Sequence, residues 1–297
     1  MTQDFPEIFD RRMSDFLSKH QLPAEFRRVA EQYYLPLARR LPAIRGDKRQ
    51  LLLGINGAQG TGKSTLADFL RFAAESMFDW RVAVLSIDDF YLTRKERESL
   101  AHVVHPLLLT RGPPGTHDVE MLGDYLARLR RLGIGERLPL PRFDKSTDDR
   151  ANESRWPIVE GPIDLVILEG WCVGTRAQTD TELEPPVNPL EHDEDADGAW
   201  RRYVNDQLEA NYEPIFEQLD YLVFMRAPSF DAILRWRAEQ EEKLAAVSPQ
   251  GSSGLMNEKQ ITRFLQYYER LTRANLATLP GQADLVFELD EDHSISS

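Results

Sequence analysis

The chain has 297 residues, which is long enough to bury a large core in one α/β domain with appendages. Its 36 basic and 49 acidic residues give a formal net charge of −13, which argues against a general affinity for nucleic acid or anionic membranes. No run approaches the ~20 apolar residues of a membrane span, and no export signal is visible.

Residues 1–45 are predicted to form an N-terminal helical extension. Apolar side chains from Phe26 to Leu37 recur at helical spacing, and the polar stretch Arg45–Lys48 ends the pattern. We expect residues 46–297 to form the main domain.

A glycine-rich motif, G-x-x-x-x-G-K-S, occupies Gly57–Ser64. It follows an apolar run and precedes a helical pattern, which is the order of strand, loop and helix that phosphate binding requires. The three glycines allow positive φ and close approach of phosphate, Lys63 can reach the β- and γ-phosphates, and the Ser64 hydroxyl can bind Mg²⁺. We therefore expect a P-loop that binds ATP and Mg²⁺. The expected contacts are Gly57, Ala58, Gln59, Gly60, Thr61, Gly62, Lys63, Ser64 and Thr65.

Short apolar segments recur along the chain, with helical patterns between them. Strands that do not alternate and are separated by helices predict a parallel sheet covered on both faces. We predict an α/β fold of the P-loop NTPase type, with a five-stranded, mainly parallel sheet and an active crevice at the carboxyl ends of its strands. The predicted strands are Leu51–Asn56, Val82–Ile87, Leu165–Leu168, Tyr221–Met225 and Leu285–Leu289. The predicted helices are Val119–Leu132 capped by Asp118, Trp200–Leu219, Phe230–Ala246 capped by Ser229, and Asn257–Leu279.

Two carboxylates, Asp88 and Asp89, directly follow the second predicted strand. Phosphoryl transfer to an alcohol needs a group that accepts the hydroxyl proton while cations neutralise the phosphate. We expect Asp88 to be this base, although either carboxylate is a candidate, and Asp89 to bind metal-bound water or a substrate hydroxyl. The alternative is a pair of turn or cap residues.

The third predicted strand ends in Glu169, which matches a Walker B acid that orients the hydration shell of Mg²⁺. Nearby, Cys172 is the only cysteine, so no intramolecular disulfide is possible. We expect Cys172 to be a packing residue and the protein to be cytoplasmic. Arg235 and Arg237 lie on a later helix, where they can close over the phosphates as a lid or simply form a solvated face.

A rigid Pro/Gly loop at Arg111–Asp118 combines cationic and hydrogen-bonding groups. Such a loop suits a small anionic acceptor, and Arg111 and His117 are the candidate contacts for its carboxylate. The alternative is a connector whose Asp118 caps the next helix.

The segment Asp180–Asp197 contains eight carboxylates, three prolines and no Lys or Arg. Such a composition predicts a solvated, flexible insertion rather than a metal site.

Together these motifs resemble the phosphoribulokinase/uridine kinase/pantothenate kinase family of P-loop kinases, and within it the glycerate-kinase-like branch. The resemblance spans residues 50–290. It is carried by GINGAQGTGKST at Gly54–Thr65, LSIDDFYLT at Leu85–Thr93, RGPPGTHD at Arg111–Asp118, LPRFDKS at Leu140–Ser146, VILEGW at Val166–Trp171 and WRAEQEEKL at Trp236–Leu244.

The resemblance implies that Asp88 is the base, that the helix bearing Arg235 and Arg237 is a lid, and that Asp144 lines the acceptor pocket together with Tyr91. It implies an ATP-dependent kinase that transfers the γ-phosphate to a hydroxyl of a small anionic acceptor. The acceptor that the resemblance favours is D-glycerate, which would give 3-phosphoglycerate. The alternatives are a kinase for a pantothenate-like or nucleoside-like alcohol, and a non-catalytic ATP-binding regulatory protein. A regulatory protein would need the P-loop and Glu169 but no base. No oligomeric state follows from the sequence.

Overall fold

The computed structural model describes residues 13–20, 22–247 and 256–296, with the side chains of 243–247 left out. These residues form an α/β fold around one central sheet and two small two-stranded antiparallel sheets, β3–β6 and β4–β5. The strands are β1 Leu51–Gly57, β2 Val82–Ser86, β3 Arg137–Pro139, β4 Phe143–Asp144, β5 Asp149–Arg150, β6 Ile158–Glu160, β7 Leu165–Gly170, β8 Tyr221–Arg226, β9 Leu285–Leu289 and β10 Ile295–Ser296.

Helices cover both faces of the sheet. Residues 13–19 are helical, and the π-helical turns Ala30–Tyr34 and Leu208–Tyr212 each join two α-helices. The helices are α1 Phe26–Val29, α2 Leu35–Arg45, α3 Lys63–Phe78, α4 Arg94–Val103, α5 Val119–Arg131, α6 Asp180–Leu183, α7 Pro189–Glu194, α8 Ala199–Gln207, α9 Glu213–Phe216, α10 Phe230–Val247 and α11 Glu258–Thr278. In the described part of the chain, no helix is both long and apolar enough to cross a membrane.

The central sheet has the strand order β10-β9-β8-β1-β7-β2. Five of its strands run parallel and confirm the five predicted strands: β1, β2, β7, β8 and β9. The sixth, β10, pairs antiparallel with β9. The sheet therefore has six strands rather than the predicted five. Strand β1 is central and buried at every position, which explains why its sequence is apolar up to Ile55 rather than alternating.

The N-terminal helices pack on the same side of the sheet as α3. Phe16 and Tyr34 contact Phe69 of α3, with ring centroids 5.9 and 5.7 Å apart. Met13, Phe16, Tyr34 and Leu41 belong to the same buried cluster as β1. The helical segment thus shares the core of the main fold, while residues 1–12 of the predicted extension lie outside the described residues. The boundary at residue 46 stays a prediction.

The acidic segment 180–197 packs against the rest of the protein at Glu191 and Asp195, where the expectation of a solvated insertion is wrong, while the predicted flexibility of the segment stays a prediction. The segment contains helices α6 and α7, and its Glu191 and Asp195 are almost fully buried. Arg270 of α11 donates to both carboxylate oxygens of Glu191 over 2.7 and 2.6 Å, and Arg201 of α8 contacts Asp195 over 3.0 Å. Buried charges require such partners. Because both arginines lie outside the segment, its own composition could not indicate them.

Candidate active site

Parallel pairing brings the carboxyl ends of β1, β2 and β7 to one edge of the sheet. Glu169 of β7 lies in register with Ile55 of β1 and with Ser86 of β2. The P-loop follows β1 directly, and Asp88 follows β2 in the tight turn Ile87–Phe90. The structure therefore gathers the P-loop, the predicted base and the predicted Walker B acid in one place.

The P-loop turns sharply into helix α3. Gly60 and Gly62 have φ of 85° and 84°, which confirms the need for glycine at both positions. Gly57 does not have a positive φ, so the prediction that this position uses glycine for a positive φ is wrong. There, an added Cβ would lie 2.4 Å from Thr61 Oγ1, so glycine is required by close packing. Helix α3 begins at Lys63, and its N-terminus faces the loop that the motif predicts for phosphate.

Ser64 and Glu169 form a pair suited to a hard cation. Ser64 Oγ donates to Glu169 Oε1 over 3.1 Å, while Glu169 Oε2 is buried and has no hydrogen-bond partner among the described residues. A buried carboxylate oxygen without a protein partner is rare, and this one is free to accept a ligand. Hydroxyl and carboxylate oxygens fit Mg²⁺, which usually keeps waters and phosphate oxygens as its other ligands. The residues present therefore fit the predicted metal.

Both oxygens of Asp88 accept a hydrogen bond. The Tyr91 hydroxyl donates to Oδ1 over 2.9 Å, and Lys145 Nζ donates to Oδ2 over 2.6 Å. Burial raises the pKa of Asp88, but the charge and hydrogen bond of Lys145 together with the charge of Lys63 outweigh it, and the pKa falls to about 2. The carboxylate is therefore ionised at neutral pH and remains a strong hydrogen-bond acceptor.

Asp89 anchors the segment that leads into the β4–β5 hairpin. Its Oδ1 accepts from the backbone N–H of Phe143 over 3.1 Å, and its Oδ2 accepts from Arg142 over 3.0 Å. Burial raises the pKa of Asp89 to about 6, although Arg142 opposes the shift. Asp89 also lines, together with Ser64 and Glu169, a cavity of about 900 Å³ beside β2. Its predicted metal role stays a prediction, since both of its oxygens already have protein partners.

His117 is buried and packs against the ring of Tyr91, the residue that donates to Asp88. The two rings stack with centroids 4.4 Å apart, and His117 Nδ1 is 2.8 Å from the Tyr212 hydroxyl. Nε2 has no partner among the described residues. Burial lowers the pKa of His117 to about 4, so the ring is neutral at neutral pH. A carboxylate in contact with His117 would therefore accept a hydrogen bond from a neutral ring.

Arg111, the other predicted carboxylate contact, is already paired. It contacts the carboxylate of Asp148, and its guanidinium lies 5.6 Å from the ring centroid of Phe143. Asp148 also forms an ion pair with Arg97. These ion pairs connect the Pro/Gly loop Arg111–Asp118 to the β4–β5 hairpin. Because Arg97 and Arg111 share this one carboxylate, the positive charge of Arg111 is only partly compensated within the protein.

Asp144 organises its own hairpin. Its carboxylate accepts from the backbone N–H and hydroxyl of Ser146 and from Arg155, and these hydrogen bonds hold its pKa well below the usual range. The expected role in lining the acceptor pocket stays a prediction. The neighbouring Lys145, which contacts Asp88, belongs to the same LPRFDKS motif and was not singled out from the sequence.

Helix α10 lies against the P-loop through Trp236. A Cβ on Gly60 would lie 3.3 Å from Trp236 Cβ, and the Trp236 ring stacks on His293 with centroids 4.2 Å apart. The flanking lid candidates each pair with a carboxylate, Arg235 with Glu291 and Arg237 with Glu241. The helix therefore lies beside the P-loop, while its role as a lid and the catalytic role of its two arginines stay predictions.

No protein-family model matches the chain. The uncharacterized kinase mug58 of Schizosaccharomyces pombe is 34% identical over 246 residues, which cover 80% of this chain and 86% of that protein. The chloroplastic D-glycerate 3-kinase of Arabidopsis thaliana is 30% identical over 266 residues, which cover 84% of this chain but only 54% of the plant protein. The chain thus spans about half the length of that enzyme.

Among solved structures, D-glycerate 3-kinase from Cryptococcus neoformans superimposes with a TM-score of 0.71 at 26% identity, covering 93% of this chain and 98% of that one. The fold, the P-loop and the similarity to mug58 over most of both chains agree with one another. The chain belongs to the phosphoribulokinase/uridine kinase/pantothenate kinase family of P-loop kinases.

Proposed function

We propose that the protein is an ATP-dependent kinase that transfers the γ-phosphate to a hydroxyl of D-glycerate and releases 3-phosphoglycerate. The observation that carries the proposal is the ionised carboxylate of Asp88 at the sheet edge that also holds Lys63 and Glu169. A nucleotide-binding regulatory protein has no need for a proton acceptor at this position. The similarity to two D-glycerate 3-kinases supports glycerate as the acceptor.

In this proposal the P-loop and Lys63 hold the β- and γ-phosphates. Ser64 and Glu169 would hold Mg²⁺, which when bound would neutralise charge on the phosphate oxygens. Asp88 accepts the hydrogen bond and then the proton of the acceptor hydroxyl, while Tyr91 fixes the orientation of the carboxylate. Because the transition state of phosphoryl transfer is loose, positioning and charge stabilisation matter more than a strongly basic group. A carboxylate with a low pKa is therefore adequate for the task.

The proposal is tested with a panel of acceptors at saturating ATP and Mg²⁺. Release of ADP is measured with D-glycerate, L-glycerate, glycerol, pantothenate and uridine. We expect D-glycerate to give the largest stimulation over the rate without acceptor. Faster turnover of pantothenate or uridine would replace glycerate by another small alcohol, and no stimulation by any acceptor would favour the regulatory alternative.

A further inference from the structure

The basic side chains near the carboxylate of Asp88 are Lys145, Lys63 and His117, of which the His117 ring is neutral at neutral pH. Lys63 belongs to the P-loop, where its charge is needed for phosphate. His117 is buried and stacked on Tyr91. Nearby, Arg111 is held by Asp148. Of these four side chains, Lys145 is the one that we expect neither to bind phosphate nor to hold parts of the fold together.

Lys145 is placed on the rim of the site. Its side chain is 59% exposed, and Asp88 is its only hydrogen-bond or ion-pair partner within the residues that the structure describes. An ion pair with so exposed a lysine contributes little to folding, because water screens it and the long side chain loses entropy. The contact between Lys145 and Asp88 is therefore not required for stability.

The backbone that carries Lys145 is nevertheless held firmly. On one side, Asp89 binds the N–H of Phe143 in β4. On the other side, the buried Arg97 donates to the backbone oxygen of Asp148 over 2.8 Å and contacts its carboxylate over 3.0 Å. The loop between β4 and β5 thus has a fixed position, while the ammonium group at the end of Lys145 can turn towards a second partner.

We propose that Lys145 is a specificity-determining residue that binds the carboxylate of the acceptor and so selects hydroxy acids over neutral alcohols. The proposal rests on the kinase function proposed above. An ammonium group has three N–H donors, so Lys145 can hold Asp88 and an acceptor carboxylate together. A short hydroxy acid held in this way presents its hydroxyl near Asp88, at the side where the γ-phosphate would arrive.

The same geometry predicts what is lost without Lys145. The site then keeps the negative charge of Asp88 without its lysine partner, which repels an anionic acceptor but leaves a neutral one of the same shape unaffected. The effect of removing the lysine should therefore depend on the charge of the ligand. A lysine that only supports the hairpin would affect both ligands equally.

The test compares Lys145→Ala with the wild-type full-length chain. Two quantities are measured: the KM for D-glycerate, and the inhibition constant of glyceramide, its neutral amide analogue, against D-glycerate. We expect the KM for D-glycerate to rise ~10- to 100-fold, as for the loss of a charged hydrogen bond, and the inhibition constant of glyceramide to change less than about threefold. Lys145→Arg should restore most of the affinity for D-glycerate. Lys95→Ala, at an exposed position of α4, is the matched control and should leave both constants unchanged.

Each result decides one point. An unchanged KM for D-glycerate in Lys145→Ala would overturn the inference and leave the kinase function standing. An equal loss of affinity for D-glycerate and glyceramide would also overturn it, because it would show a structural role. A wild-type protein that does not phosphorylate D-glycerate would refute the proposed function itself, and the inference with it.

Discussion

Replacing Asp88 by Asn removes the charge that we place opposite the acceptor hydroxyl and preserves the shape of the side chain. The amide still has an oxygen for the Tyr91 hydroxyl, which lies 2.9 Å from Oδ1. It cannot take up a proton. We expect acceptor-dependent turnover at saturating substrates to fall ~10²- to 10⁴-fold, which is the usual contribution of a positioned general base.

The structure also predicts what Asp88→Asn should leave intact. Neither hydrogen-bond partner of Asp88 belongs to the P-loop, so the affinity for Mg-ATP should stay within about threefold of wild type. The lost partner, Lys145, is 59% exposed, and such a pair contributes only about 0–1 kcal/mol to the free energy of unfolding. The variant should therefore fold and bind nucleotide normally.

The assay combines initial rates, calorimetric titration with Mg-ATP and urea unfolding on the same preparation. Asp124→Asn, on the exposed side of α5, is the control for loss of one surface carboxylate. A wild-type rate for Asp88→Asn would remove Asp88 from the mechanism. Weakened nucleotide binding with unchanged turnover at saturating ATP would instead assign Asp88 to the organisation of the turn.

Three further predictions follow from the same geometry. Lys63→Ala should fold but lose ~10²- to 10³-fold in turnover, because it removes one donor to the charge that develops on phosphate; near-normal initial rates would contradict the P-loop assignment. Glu191→Ala should lower the free energy of unfolding in urea by about 3–5 kcal/mol, because Arg270 is left buried and unpaired, whereas Asp193→Ala at an exposed position should change it by less than about 0.5 kcal/mol. Equal effects of these two variants would show that the acidic segment is not packed. Because the pKa of His117 falls from 6.5 to about 4 on folding, the unfolded chain takes up the proton first as the pH falls. The wild type should therefore lose about 2 kcal/mol more stability than His117→Gln between pH 7 and pH 5, and parallel pH profiles in urea unfolding would refute the burial of this ring.

Features set by neighbouring residues were predictable from the sequence. The P-loop, the five parallel strands and two helix caps all depend on short segments whose residue types determine the local backbone. Asp118 caps α5 by accepting from Met121 N over 2.9 Å, and Ser229 caps α10 by accepting from Ala232 N over 3.1 Å. Both caps were predicted because a short polar side chain directly precedes a helical pattern.

Features that depend on partners distant in the chain were not predictable. Lys145 lies 57 residues from Asp88, and Arg270 lies 79 residues from Glu191. A stretch rich in carboxylates predicts a solvated segment when it is considered alone. The prediction fails where arginines from other parts of the chain pair with those carboxylates. Strand β10 has two residues, which is too short for a recognisable pattern, and its pairing is set by the turn after β9.

The central claim is that the chain phosphorylates the hydroxyl of a glycerate molecule. Its most direct test is phosphorus NMR of the products formed from ATP, Mg²⁺ and D-glycerate by the full-length chain. We predict one phosphomonoester on the terminal hydroxyl of glycerate for each ADP, and at most about a hundredth as much with Asp88→Asn over the same initial period. ADP accompanied only by inorganic phosphate, or a wild-type reaction without any phosphorylated glycerate, would contradict the account.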